Sequence, residues 1–213
     1  MKAARAENYR CRSAFKLIQI DDSFKIFKRK KRIVDLGAAP GSWSQIAVKN
    51  AVKEPSTIPV LSVDILDFES VPGTFHLPKT SIENKSAIVD AMEHIWGKKK
   101  PQLVLSDMLH NVSGQKSFDH ANSLKLCSNV LKFCFDHLED GGSAVMKIYN
   151  GPYESKYIKL LQVYFKQVKR FKPDASRKSS KEHYIIAIGF QRHVFDKKHN
   201  RPENNDDLSD ELK

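Results

Sequence analysis

Lys147, inside the otherwise apolar stretch Ser143 to Tyr149 (SAVMKIY), is the residue of this chain hardest to explain as packing. Burying an unpaired ammonium costs on the order of several kcal/mol, so the position calls for a carboxylate partner or a task. A second feature is a run of small residues, Gly37-Ala38-Ala39-Pro40-Gly41-Ser42-Trp43, set between the apolar stretch Ile33 to Leu36 and a helical pattern. Small residues let the backbone approach a ligand closely, and the start of the following helix offers unpaired N–H groups. Two carboxylates close other apolar stretches, Asp64 in VLSVDI and Asp107 in QLVLSD. A carboxylate in the position of Asp64 can accept both hydrogens of a ribose diol. Asp107 serves equally well as a turn cap. The turn contains neither GxGxxG nor GxxxxGK[ST], which argues against NAD and ATP and leaves a different nucleoside cofactor.

These groups need a scaffold. Helical periodicity is read over 13–27, 43–52, 85–96, 121–138 and 154–166, and strands over 33–36, 60–65, 102–107, 143–149, 168–171 and 184–190. The stretch 67–84 is broken by Pro72, Gly73 and Pro78 and receives no element. Strands alternating with helices predict an α/β fold, a mostly parallel sheet with helices on both faces and ligands at the carboxyl ends of the strands. A single domain is expected over 1–192, with 1–32 as a basic helical arm packed on it. From His193 onward the chain is polar and acidic and is expected to be disordered.

The formal charge of +11 is unevenly placed. From Gln191 the chain is net −1, which leaves +12 on the remainder, a surface suited to nucleic acid or an acidic membrane. Two basic groups, Lys166 to Lys181 and Arg5, Arg10, Arg12 with Lys25 to Arg32, are expected to contact phosphates around a target site. Cys11, Cys127 and Cys134 lack metal-binding spacing and read as reduced thiols, with Cys127 and Cys134 packing on one helix face. No apolar run approaches the roughly 20 residues of a membrane helix. Met1 to Arg12 is too short and polar for a secretory signal.

Five blocks then carry a resemblance. Asp35 to Gln45 (DLGAAPGSWSQ), Tyr9 to Leu17 (YRCRSAFKL), Ser106 to Gly114 (SDMLHNVSG), Gly141 to Gly151 (GGSAVMKIYNG) and Lys172 to Tyr184 (KPDASRKSSKEHY) resemble, in order, the motifs of the FtsJ/RrmJ family of S-adenosylmethionine-dependent rRNA ribose 2′-O-methyltransferases. The last block and the short length look most like the mitochondrial large-subunit rRNA branch. The resemblance implies a Rossmann-like fold with a seven-stranded sheet and an antiparallel last strand. It implies that Gly37, Pro40, Gly41, Ser42, Trp43, Asp64 and Asp107 line the S-adenosylmethionine pocket, and that Lys16, Asp107, Lys147 and Glu182 form the catalytic tetrad. It further implies a monomer acting on a uridine of the peptidyl-transferase A loop in the mitochondrial matrix, with a cytoplasmic or nuclear location as the alternative. A tRNA substrate and a non-catalytic ribosome-assembly role remain open. Two positions depart from the family. Lys79-Thr80-Ser81 stands where an Asp usually meets the adenine, and Leu109-His110 replaces the AlaPro of DMAPN.

Overall fold

The computed structural model describes residues 7–55, 57–110, 113–177 and 180–199. In chain order the elements are α1 (Ala14–Phe24), β1 (Ile33–Leu36), α2 (Ser42–Asn50), β2 (Val60–Val63), β3 (Thr74–Leu77), α3 (Lys85–Trp96), β4 (Leu103–Ser106), α4 (Lys116–His137), β5 (Ser143–Tyr149), α5 (Glu154–Tyr164), β6 (Phe165–Phe171), β7 (Glu182–Phe190) and α6 (Arg192–His199). The strands form one seven-stranded sheet in the order β3-β2-β1-β4-β5-β7-β6. β7 runs antiparallel to both neighbours, β5 and β6, and the other pairings are parallel.

Strand side chains alternate between two cores, as the period of two requires. Val34, Leu36, Val63, Met146, Ile148 and Ile185 pack against α3, α4 and α5. Ile33, Leu105, Val145, Tyr184 and Ile186 pack against α1 and α2 through Leu17, Ile20, Trp43 and Ile46. By the same alternation Lys147 belongs to the face of Val145, under α1, and His183 to the face of Ile185, under α5. β1, β2 and β4 are buried throughout, which explains their short unbroken apolar runs.

Three expectations need correction. β3 falls in the stretch that received no element. It is an edge strand, half-buried at every position, so it lacks the apolar run of its neighbours. Disorder from His193 onward does not hold for 193–199, which lie in α6. Val194 and Phe195 pack on the core, and the Phe195 ring stacks on Phe135 at 4.4 Å. Residues 200–213 lie outside the described residues. Finally, Lys28 to Arg32 do not join Arg10 and Arg12 near the reactive residues. They lead into the first residue of β1, whereas Asp64, Asp107 and the turn after β1 stand at the opposite, carboxyl edge of the sheet. Adjacency in sequence to α1 misled here, because α1 spans one sheet face from edge to edge.

Candidate active site

At the carboxyl edge the chain leaves β1 through Gly37 to Gly41. Gly37 and Gly41 have φ of +76° and +107°, conformations that an L side chain rarely adopts. Space forbids a side chain as well. A Cβ on Gly37 would overlap Met108 Cγ, and one on Gly41 would meet Arg10 Nη1 and Val71 Cγ2, each at 2.7 Å. The Ala39–Pro40 peptide is cis. Asp64, just past β2, braces the turn. Its Oδ2 accepts the Ala39 N–H at 2.8 Å and its Oδ1 the Leu66 N–H at 2.8 Å.

Ser42 and Trp43 open α2, but their side chains turn to the N-terminal segment. Ser42 Oγ lies 2.7 Å from Ser13 Oγ and 3.0 Å from Cys11 Sγ. The Trp43 indole N–H donates to the Ser13 carbonyl at 3.0 Å, and its ring lies 5.5 Å from that of Tyr184. Only their backbone is left to face a ligand. Arg10, which the sequence reading assigned to phosphate, instead donates to the carbonyls of Pro40 (2.9 Å), Ser70 (2.7 Å) and Glu69. It clamps the outer side of the turn.

Four charged groups from four elements converge beside this turn. Lys147 Nζ, on β5, lies 3.0 Å from Asp107 Oδ1 and donates to the Asp107 carbonyl at 2.5 Å. Asp107 is the first residue beyond β4. Lys16 of α1 forms an ion pair with Glu182, the first residue of β7, and both side chains are nearly buried. Tyr184 joins the two pairs. Its hydroxyl donates to Asp107 Oδ1 at 2.8 Å, and its ring centroid lies 6.0 Å from Lys16 Nζ. Strand register fixes this arrangement, because β5 and β7 place Lys147 opposite Tyr184 and Tyr149 opposite Glu182. Burial, reinforced by Asp107 and Glu182, holds the Tyr184 hydroxyl well above the usual tyrosine range, so it stays a donor. Burial followed by Glu182, Asp119 and Asp107 raises Tyr149.

Tyr184 is the functional residue that the sequence reading missed. The available signal was its position two residues after Glu182, on the same strand face. His183, read as a loop or substrate-side residue, lies within β7 and faces away. Its Nε2 is 2.6 Å from Glu154 Oε1, and burial lowers its pKa against the pull of that carboxylate. Glu154 also pairs with Arg170 at 3.1 Å. Cys127 and Cys134 are buried in the core as expected. Cys127 Sγ donates to the Lys147 carbonyl at 3.1 Å, and burial pushes its thiol up to about 12.

The same edge holds a further carboxyl. Asp35 is fully buried and pushed up to about 7, chiefly by loss of water; the hydrogen bond from Ser44 at 2.6 Å opposes the shift, and Asp107 and Asp64 add to it. On the substrate side Asp119 gathers the Ser113 N–H at 2.8 Å, the Ser113 hydroxyl at 2.8 Å and the Gly114 N–H at 3.2 Å, which hold its carboxyl low and shape the loop ahead of α4. Asn111, Val112, Lys178 and Ser179 lie outside the described residues.

The edge fits a cationic nucleoside. Each oxygen of Asp64 accepts one N–H and keeps a further lone pair for a diol. Ile65 and Leu66 beside it are 69% and 59% exposed, an apolar seat for a base. Thr80, at the departure from the family pattern, donates its N–H to the Asp64 carbonyl at 2.8 Å, so this loop still borders the seat without an acid.

The chain is similar to known proteins over most of its length. A protein of Ehrlichia chaffeensis named ribosomal RNA large subunit methyltransferase E is 36% identical over 189 residues, covering 89% of this chain and 87% of its own. The protein of that name from Rickettsia bellii is 38% identical, covering 87% of this chain and 81% of its own. Among solved structures, a Plasmodium falciparum protein described as a ribosomal RNA methyltransferase superposes with a TM-score of 0.74 at 25% identity, covering 85% of this chain and 98% of its own. A Lactococcus lactis protein described as a hemolysin shares the fold alone, with a TM-score of 0.58 at 13% identity. The FtsJ-like methyltransferase family matches residues 9–190, which include the whole sheet and Lys16, Asp107, Lys147 and Glu182, and the chain belongs to that family.

Proposed function

We propose that the protein transfers a methyl group from S-adenosylmethionine to a ribose 2′-hydroxyl of large-subunit ribosomal RNA. The observation that carries this reading is the convergence of Lys16, Asp107, Lys147 and Glu182, with Tyr184, beside the Gly37–Gly41 turn. The names of the relatives support ribosomal RNA as the substrate, and the basic surface supports a polyanion. A ribose 2′-hydroxyl distinguishes RNA from DNA. The A-loop uridine, a monomeric state and a mitochondrial location belong to the same proposal and rest on the resemblance in sequence.

S-adenosylmethionine, when bound, supplies a methyl group on a positively charged sulfur. Passing that group in line to a hydroxyl depends on alignment, which would provide much of the acceleration. The Gly37–Gly41 backbone, Asp64 and Asp107 would hold the donor. Lys147 is tied to two oxygens of Asp107, and we assign it the stabilisation of negative charge growing on the 2′-oxygen. Glu182, fixed by Lys16, accepts the hydrogen bond of the hydroxyl and steers it, and the released proton passes to solvent.

Lys147→Ala should lower the methylation rate by about 10³-fold while calorimetry shows S-adenosylmethionine still binding. Lys147→Arg should keep a measurable fraction of the rate, because it preserves charge and cannot act as a base. Rates in Lys147→Ala equal to wild type would remove this lysine from the reaction.

A further inference from the structure

The edge of the sheet opposite the active site carries its own charge concentration. Lys28-Arg29-Lys30-Lys31-Arg32 leads into β1, and Lys98-Lys99-Lys100 leads into β4, the parallel neighbour of β1. These runs, far apart in the chain, are pinned together. The Lys31 N–H donates to Gln102 Oε1 at 3.0 Å, Arg32 donates to the Lys100 carbonyl at 2.7 Å, and the Gln102 N–H to the Arg32 carbonyl at 2.8 Å. Two acids serve the inner cations, Glu54 on Lys31 at 2.6 Å and Glu139 on Arg32 at 3.0 Å. The outer ones, Lys28, Arg29, Lys98 and Lys99, are exposed and form no ion pair with the described residues.

Lys30 is held below the usual lysine range mainly by burial, and Lys100 by burial and then Arg192. Lys25, the C-cap of α1, and Arg29 adopt left-handed backbone conformations with φ of 51° and 61°. With Lys28 they rim a concavity of about 510 Å³ whose walls include Asn50 and Asp21, the latter closing the turn by accepting the Phe27 N–H at 3.1 Å. Exposed cations gathered around a concavity favour an anion. Among the described residues the exposed apolar side chains at this edge are Val52 and Ile58, and the larger Leu66, Leu109 and Phe118 lie toward the active-site edge, so it offers less apolar surface than an interfacial membrane helix buries.

We propose that this edge is a second RNA-backbone contact, gripping phosphates of the substrate particle apart from the strand that presents the target ribose. The inference rests on the reading of the substrate as ribosomal RNA. The seven residues of β5 alone separate the two edges by roughly 20 Å, so one flexible nucleotide cannot occupy both. The enzyme would therefore engage RNA that reaches from one edge of the sheet to the other.

The test uses the full chain with Lys28, Arg29, Lys98 and Lys99 changed to alanine, and a milder Lys98→Ala/Lys99→Ala variant confined to an exposed turn. Binding to methyl-deficient large ribosomal subunits is read by cosedimentation across salt concentrations, and methylation of those subunits gives kcat and KM. The fourfold variant should bind about tenfold or more weakly, with its salt slope reduced by about 3 to 4, raised KM and unchanged kcat and S-adenosylmethionine affinity. The double variant should show about half that reduction in slope. Unchanged binding and slope would overturn the proposal. So would a loss seen only on phosphatidylglycerol vesicles, which would make the edge a membrane contact. Because binding needs no turnover, a wild type that binds subunits without methylating them would defeat the functional reading while the second contact is still judged by its variants.

Discussion

The two edges of the sheet spend their charges differently. At the carboxyl edge Lys147, Lys16, Asp107 and Glu182 come from four separated elements, are nearly buried, and are paired in register-fixed geometry. At the amino edge the cations come as contiguous runs, and the outermost are exposed and unpaired among the described residues. Charges gathered from distant parts of a chain and stripped of water are expensive, and they persist where direction matters, as at a reacting atom. Contiguous exposed charges cost little to place and provide attraction with weak geometry, which suits a phosphate backbone. The contrast separates chemistry from grip within one molecule.

Substitutions at the paired edge should act on rate, and those at the other edge on affinity. After Lys147→Ala, the largest effect should come from Glu182→Ala, which leaves Lys16 nearly buried without its carboxylate. We expect about a 10²-fold fall in kcat together with lost stability, read by single-turnover kinetics and thermal melting. Tyr184→Phe removes one hydrogen bond to Asp107 and should lower kcat by about tenfold with KM for the subunit unchanged. A change in KM alone would place Tyr184 with the gripping residues and blur the contrast. Lys98→Ala by itself should raise KM about twofold and leave kcat alone.

Asp35 sharpens the comparison through stability rather than rate. It is a buried carboxyl whose Oδ1 has no partner, and its folded pKa of about 7 lies above the ordinary value. The folded state therefore holds a proton that the unfolded chain has released, so this group makes the protein less stable as pH rises from about 4 to about 7. Asp35→Asn should raise stability by about 2 kcal/mol or more at pH 8 and by little at pH 4, compared by denaturant melts at both values. An equal gain at both would mean that Asp35 titrates alike in the folded and the unfolded chain.

Much of the reactive edge was legible because its parts carry local signals. A lysine in an apolar strand, two glycines around a turn, and carboxylates ending apolar runs each break a pattern. Lys16 and Glu182 carry no such signal and were reached only through resemblance to a family. Tyr184 looked like one more core aromatic, since nothing local shows that its hydroxyl meets Asp107 across the sheet. β3 escaped because an edge strand between prolines need not be apolar. α6 escaped because only Val194 and Phe195 anchor an otherwise polar segment. The runs 28–32 and 98–100 were visible as charge, but their meeting depends on β1 and β4 being parallel neighbours, which only the strand order supplies.

The reversed strand has a practical corollary. β7 enters at the reactive edge with Glu182 and leaves at the far edge with Phe190, where Arg192 fastens α6 to the end of α4 through the Leu138 carbonyl at 2.7 Å. Because α6 starts at the gripping edge, fluorophores, affinity handles or fused partners attached beyond it should disturb affinity for the subunit before they disturb the rate of transfer.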